Sequence, residues 1–115
     1  MGSKAVSDTG PILHLSEIHL HKTLNIFSLI LIPEEVASEL RKADISITKH
    51  IKVASLYASS KDITKIITNQ HGLDLGEAMA IALALQEKIK IFLTDDLDAR
   101  QVAKEFHLGV HGTVG

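Results

Sequence analysis

The sequence predicts an α/β protein, built on a mostly parallel sheet with helices on both faces. Three observations predict it. The runs at 28–32 and 89–94 are apolar almost without interruption, the character of strands buried on both faces. Segments of helical periodicity alternate with these strands, which favours parallel pairing through crossover helices. The composition is 45% hydrophobic but only 3% aromatic, without Trp, so the core must be packed from Leu, Ile, Val and Ala. The length of 115 residues suits one domain, spanning 1–115.

Lys4 to Asp8 reads as the first strand. Pro11 sits where a first helical turn tolerates proline, ahead of an apolar stripe of Ile12, Leu13, Leu15 and Ile18. A short second helix is expected over 21–27, then the strand 28–32. Pro33 opens the next helix, which runs to about Lys42 with Glu34 and Glu35 in the first turn, where the helix dipole favours acids. Residues 45–57 are ambiguous, with Ile51, Val53 and Leu56 able to form a strand that Ser59-Ser60 would break. Residues 62–70 read as a helix with Ile63, Ile66 and Ile67 on one side.

Asp74 is an N-cap for a strong helix over 75–88, whose run Ala78 to Leu85 carries no charge and must be nearly all buried. The strand 89–94, a helix over 97–106 and a short strand at Gly109-Val110-His111 complete the chain.

Composition excludes several functions. With no Cys there are no disulfides and no thiolate metal sites. The seven His show no HExxH or HxH spacing, so they read as surface or packing residues rather than zinc ligands. A net charge of −2 argues against a simple basic nucleic-acid-binding module. No secretory leader or membrane span is visible, and a soluble cytoplasmic protein is expected.

The chemistry-bearing residues are carboxylates. In parallel α/β sheets functional groups gather at the carboxyl ends of strands. Asp8 ends the first strand, and the doublet Asp95-Asp96 follows the strand that closes on Thr94. If those strands are neighbours, the acids lie close together, and crowded like charges call for a cation. Capping of the following helices explains one Asp at each place but does not require a doublet. Asp8-Thr9-Gly10 also matches the aspartic-protease triplet, but that fold is all-β, whereas helices follow both Asp8 and Asp96. From spacing alone, Glu39 reads as a solvated acid beside Arg41 and Lys42. Glu77 fits a capping box with Asp74, yet it is the only charge at the lip of a long apolar run.

Four blocks then carry a resemblance: Val6 to Leu15, Leu31 to Leu40, Leu75 to Ala84, and Leu93 through Arg100-Gln101-Val102-Ala103 to Gly112-Thr113-Val114-Gly115. In this order they resemble the PIN domain, a three-layer α/β/α fold with a central mostly parallel sheet, and within it the VapC-like toxin ribonucleases. The resemblance implies a nuclease that holds Mg²⁺ or Mn²⁺ through Asp8, Glu39, Glu77 and Asp96. Asp95 is the alternative to Asp96, and Asp98 a third choice. Thr9 and Thr94 would be small polar neighbours of the acids. It implies an RNA substrate, an antitoxin protein as partner and a homodimer.

Hard cations prefer such oxygen donors and suit in-line hydrolysis of a phosphodiester. Lys4, Lys42, Lys49 and Arg100 are candidate phosphate contacts. Family members usually continue with further helix, so the end at Gly115 reads as a C-terminal truncation or as a face packed by a partner chain. A non-catalytic PIN-like module that binds RNA or protein is the alternative. A haloacid-dehalogenase-like phosphatase would need Asp-x-Asp after the first strand, and a receiver domain a Lys at a late strand end; neither is present.

Overall fold

A computed structural model describes residues 3–17, 26–47 and 50–111. The elements run β1 (Ser3–Ser7), α1 (Thr9–Glu17), β2 (Phe27–Ile32), α2 (Glu34–Lys42), β3 (Ile51–Val53), α3 (Ala58–His71), α4 (Leu75–Glu87), β4 (Ile91–Leu93), α5 (Leu97–Glu105) and β5 (Gly109–His111). All strand pairs are parallel, in the order β3-β2-β1-β4-β5.

The sheet is covered on both sides, and the strands show it residue by residue. Successive side chains of a strand face opposite ways. Ala5, Ile30, Ile32 and Leu93 pack with Ile12 of α1 and with Val36, Ala37 and Leu40 of α2. Their neighbours Val6, Leu31 and Phe92 pack on the other face, against the alanine-rich α4 and against Ala99, Val102 and Ala103 of α5. The result is the three-layer α/β/α architecture expected from the apolar strands. Small residues on α4 let it lie close to β1 and to α2.

Strand order places the site. The chain builds outward from β1 to β2 and β3, then returns to lay β4 on the other side of β1. That reversal opens a crevice at the carboxyl ends of β1 and β4, the usual ligand position in such sheets. Val6 pairs with Phe92 and Ser7 with Leu93, and the Asp8 amide donates to the Leu93 carbonyl at 3.0 Å. Asp8 and Thr94 therefore leave the sheet side by side.

The largest departure from expectation is α3. It begins at Ala58 and runs straight through Ser59-Ser60, which were expected to end a strand. Its inner face is Ser60, Thr64 and Ile67, while Ile66 is 50% exposed rather than sharing the inner side with Ile67. Helix propensity is a weak guide here: the Thr64 hydroxyl donates to the Ser60 carbonyl at 3.0 Å, which satisfies Thr64 as it is buried on the inner face. Gly72 closes α3 with φ 68, in the left-handed region.

Within the ambiguous stretch 45–57, only Ile51–Val53 is strand, and it forms an edge of the sheet. Of the helix expected over 21–27, Ile26 is an exposed turn residue and Phe27 belongs to β2, so neither is helical, while residues 21–25 lie outside the described residues, as do Ile18, Lys49 and the segment 112–115. Among the described residues no helix is long and apolar enough to cross a membrane.

Candidate active site

Four helices begin beside the crevice, and each brings an acid with it. α1 starts one residue after Asp8, whose Oδ1 accepts the Thr9 amide at 2.8 Å. The other oxygen, Oδ2, accepts the Thr94 hydroxyl at 3.2 Å. Thr9 in turn donates its hydroxyl to Glu39 Oε1 at 3.0 Å, tying α2 to the end of β1 across 30 residues of sequence. Asp74 caps α4: its Oδ1 accepts the Glu77 amide at 2.9 Å, and Glu77 Oε1 accepts the Asp74 amide at 3.2 Å. Asp96 caps α5 by accepting the Ala99 amide at 2.9 Å, and its own amide donates to Thr94 Oγ1 at 3.1 Å. Thr94, fully buried, is thus the hinge between Asp8 and Asp96.

Side-chain electrostatics join what these bonds bring near. Asp8 is 7% exposed, and burial pushes its pKa from 3.8 up to about 6. The Thr9 amide and Thr94 hydroxyl oppose that rise, while the charges of Asp74 and Glu39 add to it. Glu77 is also 7% exposed and is pushed from 4.5 up to about 8, again chiefly by burial. The bond to the Asp74 amide lowers it, and the Asp74 charge, a hydrogen bond shared with Asp96 and the charge of Asp8 raise it. Burial and like charges thus make ionisation of the cluster costly, and a cation bound there would offset that cost.

Glu39 has a slot of its own. A Cβ on Gly76 would lie 2.6 Å from Glu39 Oε1, so the absence of a side chain at the start of α4 is what lets Glu39 reach the cluster. Asp95 leans the other way, with Oδ2 3.7 Å from where a Cβ of Gly10 would be. The doublet thus borders both α1 and α4, Asp95 on the first and Asp96 on the second. Asp98 is exposed in the first turn of α5, where an acid suits the helix dipole.

Asp74 was legible only as a cap. Its charge acts on both Asp8 and Glu77, and the capping spacing that identified it gave no sign of that. We expect Asp74→Ser, which keeps a cap acceptor and removes the charge, to lower the pKa of both Glu77 and Asp8. Carboxyl-carbon NMR titration reads this directly, and unmoved values would show that Asp74 does not face them.

The basic residues divide. Arg100 Nε donates to the Thr94 carbonyl at 3.4 Å, at the rim of the crevice. Lys4 stands at the opposite end of β1 from Asp8 and does not flank the acids, while Lys42 closes α2 three residues beyond Glu39.

A profile of the PIN-domain family matches residues 4–115. The chain belongs to the PIN-domain family. No curated protein matches the sequence. PIN domains are generally nucleases, so the fold is of nuclease type.

The donor set of this PIN domain suits a hard divalent cation. It consists of carboxylate and hydroxyl oxygens without sulfur, and two of its carboxyls are pushed toward the protonated state, by burial first and by neighbouring acids second. Among the described residues, no three His, Asp or Glu groups already surround one point as a cage. The reason is visible in the bonds: Glu39 is turned to Thr9, and Glu77 and Asp96 to helix amides.

Proposed function

We propose that this PIN domain is a divalent-metal-dependent endoribonuclease of the VapC toxin type, hydrolysing RNA phosphodiester bonds at the acids between β1 and β4. The observation that carries the reading is the approach of Asp8, Glu39, Glu77 and Asp96 to one crevice, where burial first and neighbouring acids second hold Asp8 and Glu77 back from ionisation. Asp8, Glu39, Glu77 and Asp96 would hold Mg²⁺ or Mn²⁺, with Asp95 as the alternative to Asp96. Such ions supply charge neutralisation at the phosphate and activation of a water for in-line attack.

The chain's own residues do the rest. Thr94 orients Asp8 through its hydroxyl and holds Asp96 through the Asp96 amide. Thr9 orients Glu39. The amides at the starts of α1, α4 and α5 hold the carboxylates of Asp8, Asp74 and Asp96 in place. Arg100 stands at the rim, where a cation can meet a phosphate. The likeness to VapC toxins extends the reading to an antitoxin that masks the crevice, a homodimer and a cytoplasmic location, the last in keeping with a cysteine-free chain.

The test is cleavage of structured RNA with Mn²⁺ or Mg²⁺, with and without EDTA, by the native chain and by Asp8→Ala. We expect cleavage by the native chain only, abolished by EDTA. Equal, EDTA-insensitive cleavage by both would sink the mechanism. Binding of RNA without cleavage by either would favour a non-catalytic module.

A further inference from the structure

A groove outside the acid cluster runs between α3 and α4. It has a volume of about 270 Å³ and is lined by Leu56, Lys61, Thr64, Lys65, Leu75 and Met79. Beyond Leu56, Lys61 and Met79 it continues to Ala54, Ser55 and Glu34. Its floor of Leu56, Leu75 and Met79 is apolar, and Lys61 and Lys65 are its cations.

We infer that this groove is the track on which a single strand of RNA lies as it enters the acid site. The inference rests on the reading of the chain as an RNA-acting protein and names the part that grips the substrate.

Position is the first argument. Leu75 lies directly between Asp74 and Gly76, and the Gly76 slot touches both Glu39 and Glu35. A ligand lying across Leu75 is therefore at the edge of the acids. The second argument is the face of α3. Lys61 and Lys65 are four residues apart, which stacks them on one side of the helix at about 6 Å. Tyr57 follows Leu56 of the groove and caps the same helix in an extended conformation, its carbonyl accepting the Lys61 amide at 3.0 Å.

Tyr57 is the single Tyr of a sequence without Trp, and it is 66% exposed rather than spent on the core. Its backbone is held in place: its amide donates to Gln86 Oε1 at 2.8 Å, and Gln86 Nε2 donates to the Ser55 carbonyl at 3.0 Å.

Chemistry selects the occupant. An exposed ring, an apolar floor and a pair of lysines offer two kinds of contact at once, to flat bases and to phosphates. Among nucleic acids only an unpaired strand presents both, because a duplex keeps its bases stacked inside and shows the groove little but phosphate. Glu34 at the far end keeps the phosphates on the lysine side.

The experiment measures binding of a fluorescein-labelled single-stranded RNA by anisotropy in EDTA, across a range of salt. Binding is then separate from cleavage, so a chain that grips RNA without cutting it keeps this inference while losing the proposed function. For Lys61→Ala/Lys65→Ala we expect the slope of log affinity against log salt to become shallower by about 1.4, the value for two phosphate contacts on a single strand. Tyr57→Ala should weaken binding roughly tenfold with the slope unchanged, because stacking is not ionic. Leu75→Glu should weaken it as well, and duplex RNA of the same sequence should bind less tightly than the single strand.

These side chains are exposed, so circular dichroism is expected to show unchanged folds. Native affinity and slope in every variant would overturn the inference, as would no binding of RNA by the native chain. Variants that bind RNA normally but change the sedimentation of the chain would overturn it too, assigning the groove to a protein partner.

Discussion

Asp8→Asn is expected to melt at a higher temperature than the native chain at pH 8 in EDTA, and to have lost both stabilisation by Mn²⁺ and cleavage of RNA. The sign follows from the raised pKa. Folded Asp8 holds its proton up to about pH 6, whereas the ordinary value is 3.8. The stabilising effect of that proton is complete below about pH 4 and is lost as pH rises through 6. Above that, the fold carries a buried charge that costs on the order of 3 kcal/mol relative to the acid form. Glu77 adds to the same trend over a window ending near pH 8. The metal-free native protein is therefore expected to lose stability from about pH 5 to 8 through these two acids.

Asparagine removes the charge and can keep the bonds. Its Oδ1 can accept the Thr9 amide, and its Nδ2 can donate to Thr94 Oγ1. A gain of about 1–3 kcal/mol corresponds to roughly 4–12 °C for a chain of this size. With Mn²⁺ the gap closes: a ligand at a hundredfold its dissociation constant stabilises by about 2.7 kcal/mol, which only the native chain should receive. Thermal melts at pH 5, 6.5 and 8, each with Mn²⁺ and with EDTA, read both effects. An Asn variant that melts lower at pH 8 would show that the buried charge is not costly. One that keeps its response to Mn²⁺ would remove Asp8 from the metal site.

The parts of this site that were legible in the sequence are those that local rules govern. Asp8 and the Asp95-Asp96 doublet stand at strand ends, and in a parallel sheet that position alone marks a crevice. Asp74 and Glu77 stand at capping-box spacing, and the box forms as its spacing requires. Glu39 was not legible in this way. Nothing within α2 distinguishes it from an ordinary solvated acid, since its place depends on Thr9 across α1 and on the side chain missing at Gly76. Only the family resemblance raised it.

The same limit explains α3. Ser59-Ser60 looks like a break because a short segment cannot show that Ser60 will face small residues of α4 and that Thr64 will satisfy its carbonyl. Lys4 was misplaced for the opposite reason. It is close to Asp8 in sequence, but an extended strand separates its ends at about 3.3 Å per residue.

Gly76→Ala is expected to leave stability nearly unchanged and to cripple the site, which is the reverse of what an ordinary glycine substitution does. Alanine is the better helix former by up to about 1 kcal/mol, so α4 itself gains. The new Cβ would lie 2.6 Å from Glu39 Oε1, but that atom is the free end of a flexible side chain and can swing away at little cost in stability. Its departure breaks the Thr9–Glu39 bond and carries the carboxylate about 1 Å or more from the cluster, a displacement that can lower a rate by roughly 10².

Gly72→Ala supplies the contrast. A Cβ there meets nothing within 4 Å, but φ is 68, so the penalty is one of backbone, about 1–2 kcal/mol, with no consequence for the acids. Melting temperature and Mn²⁺ affinity should therefore move in opposite patterns: Gly76→Ala keeps the first and loses the second, and Gly72→Ala does the converse. A Gly76→Ala protein with native Mn²⁺ affinity and cleavage would mean that Glu39 is dispensable, and would reduce the site to Asp8, Glu77 and Asp96.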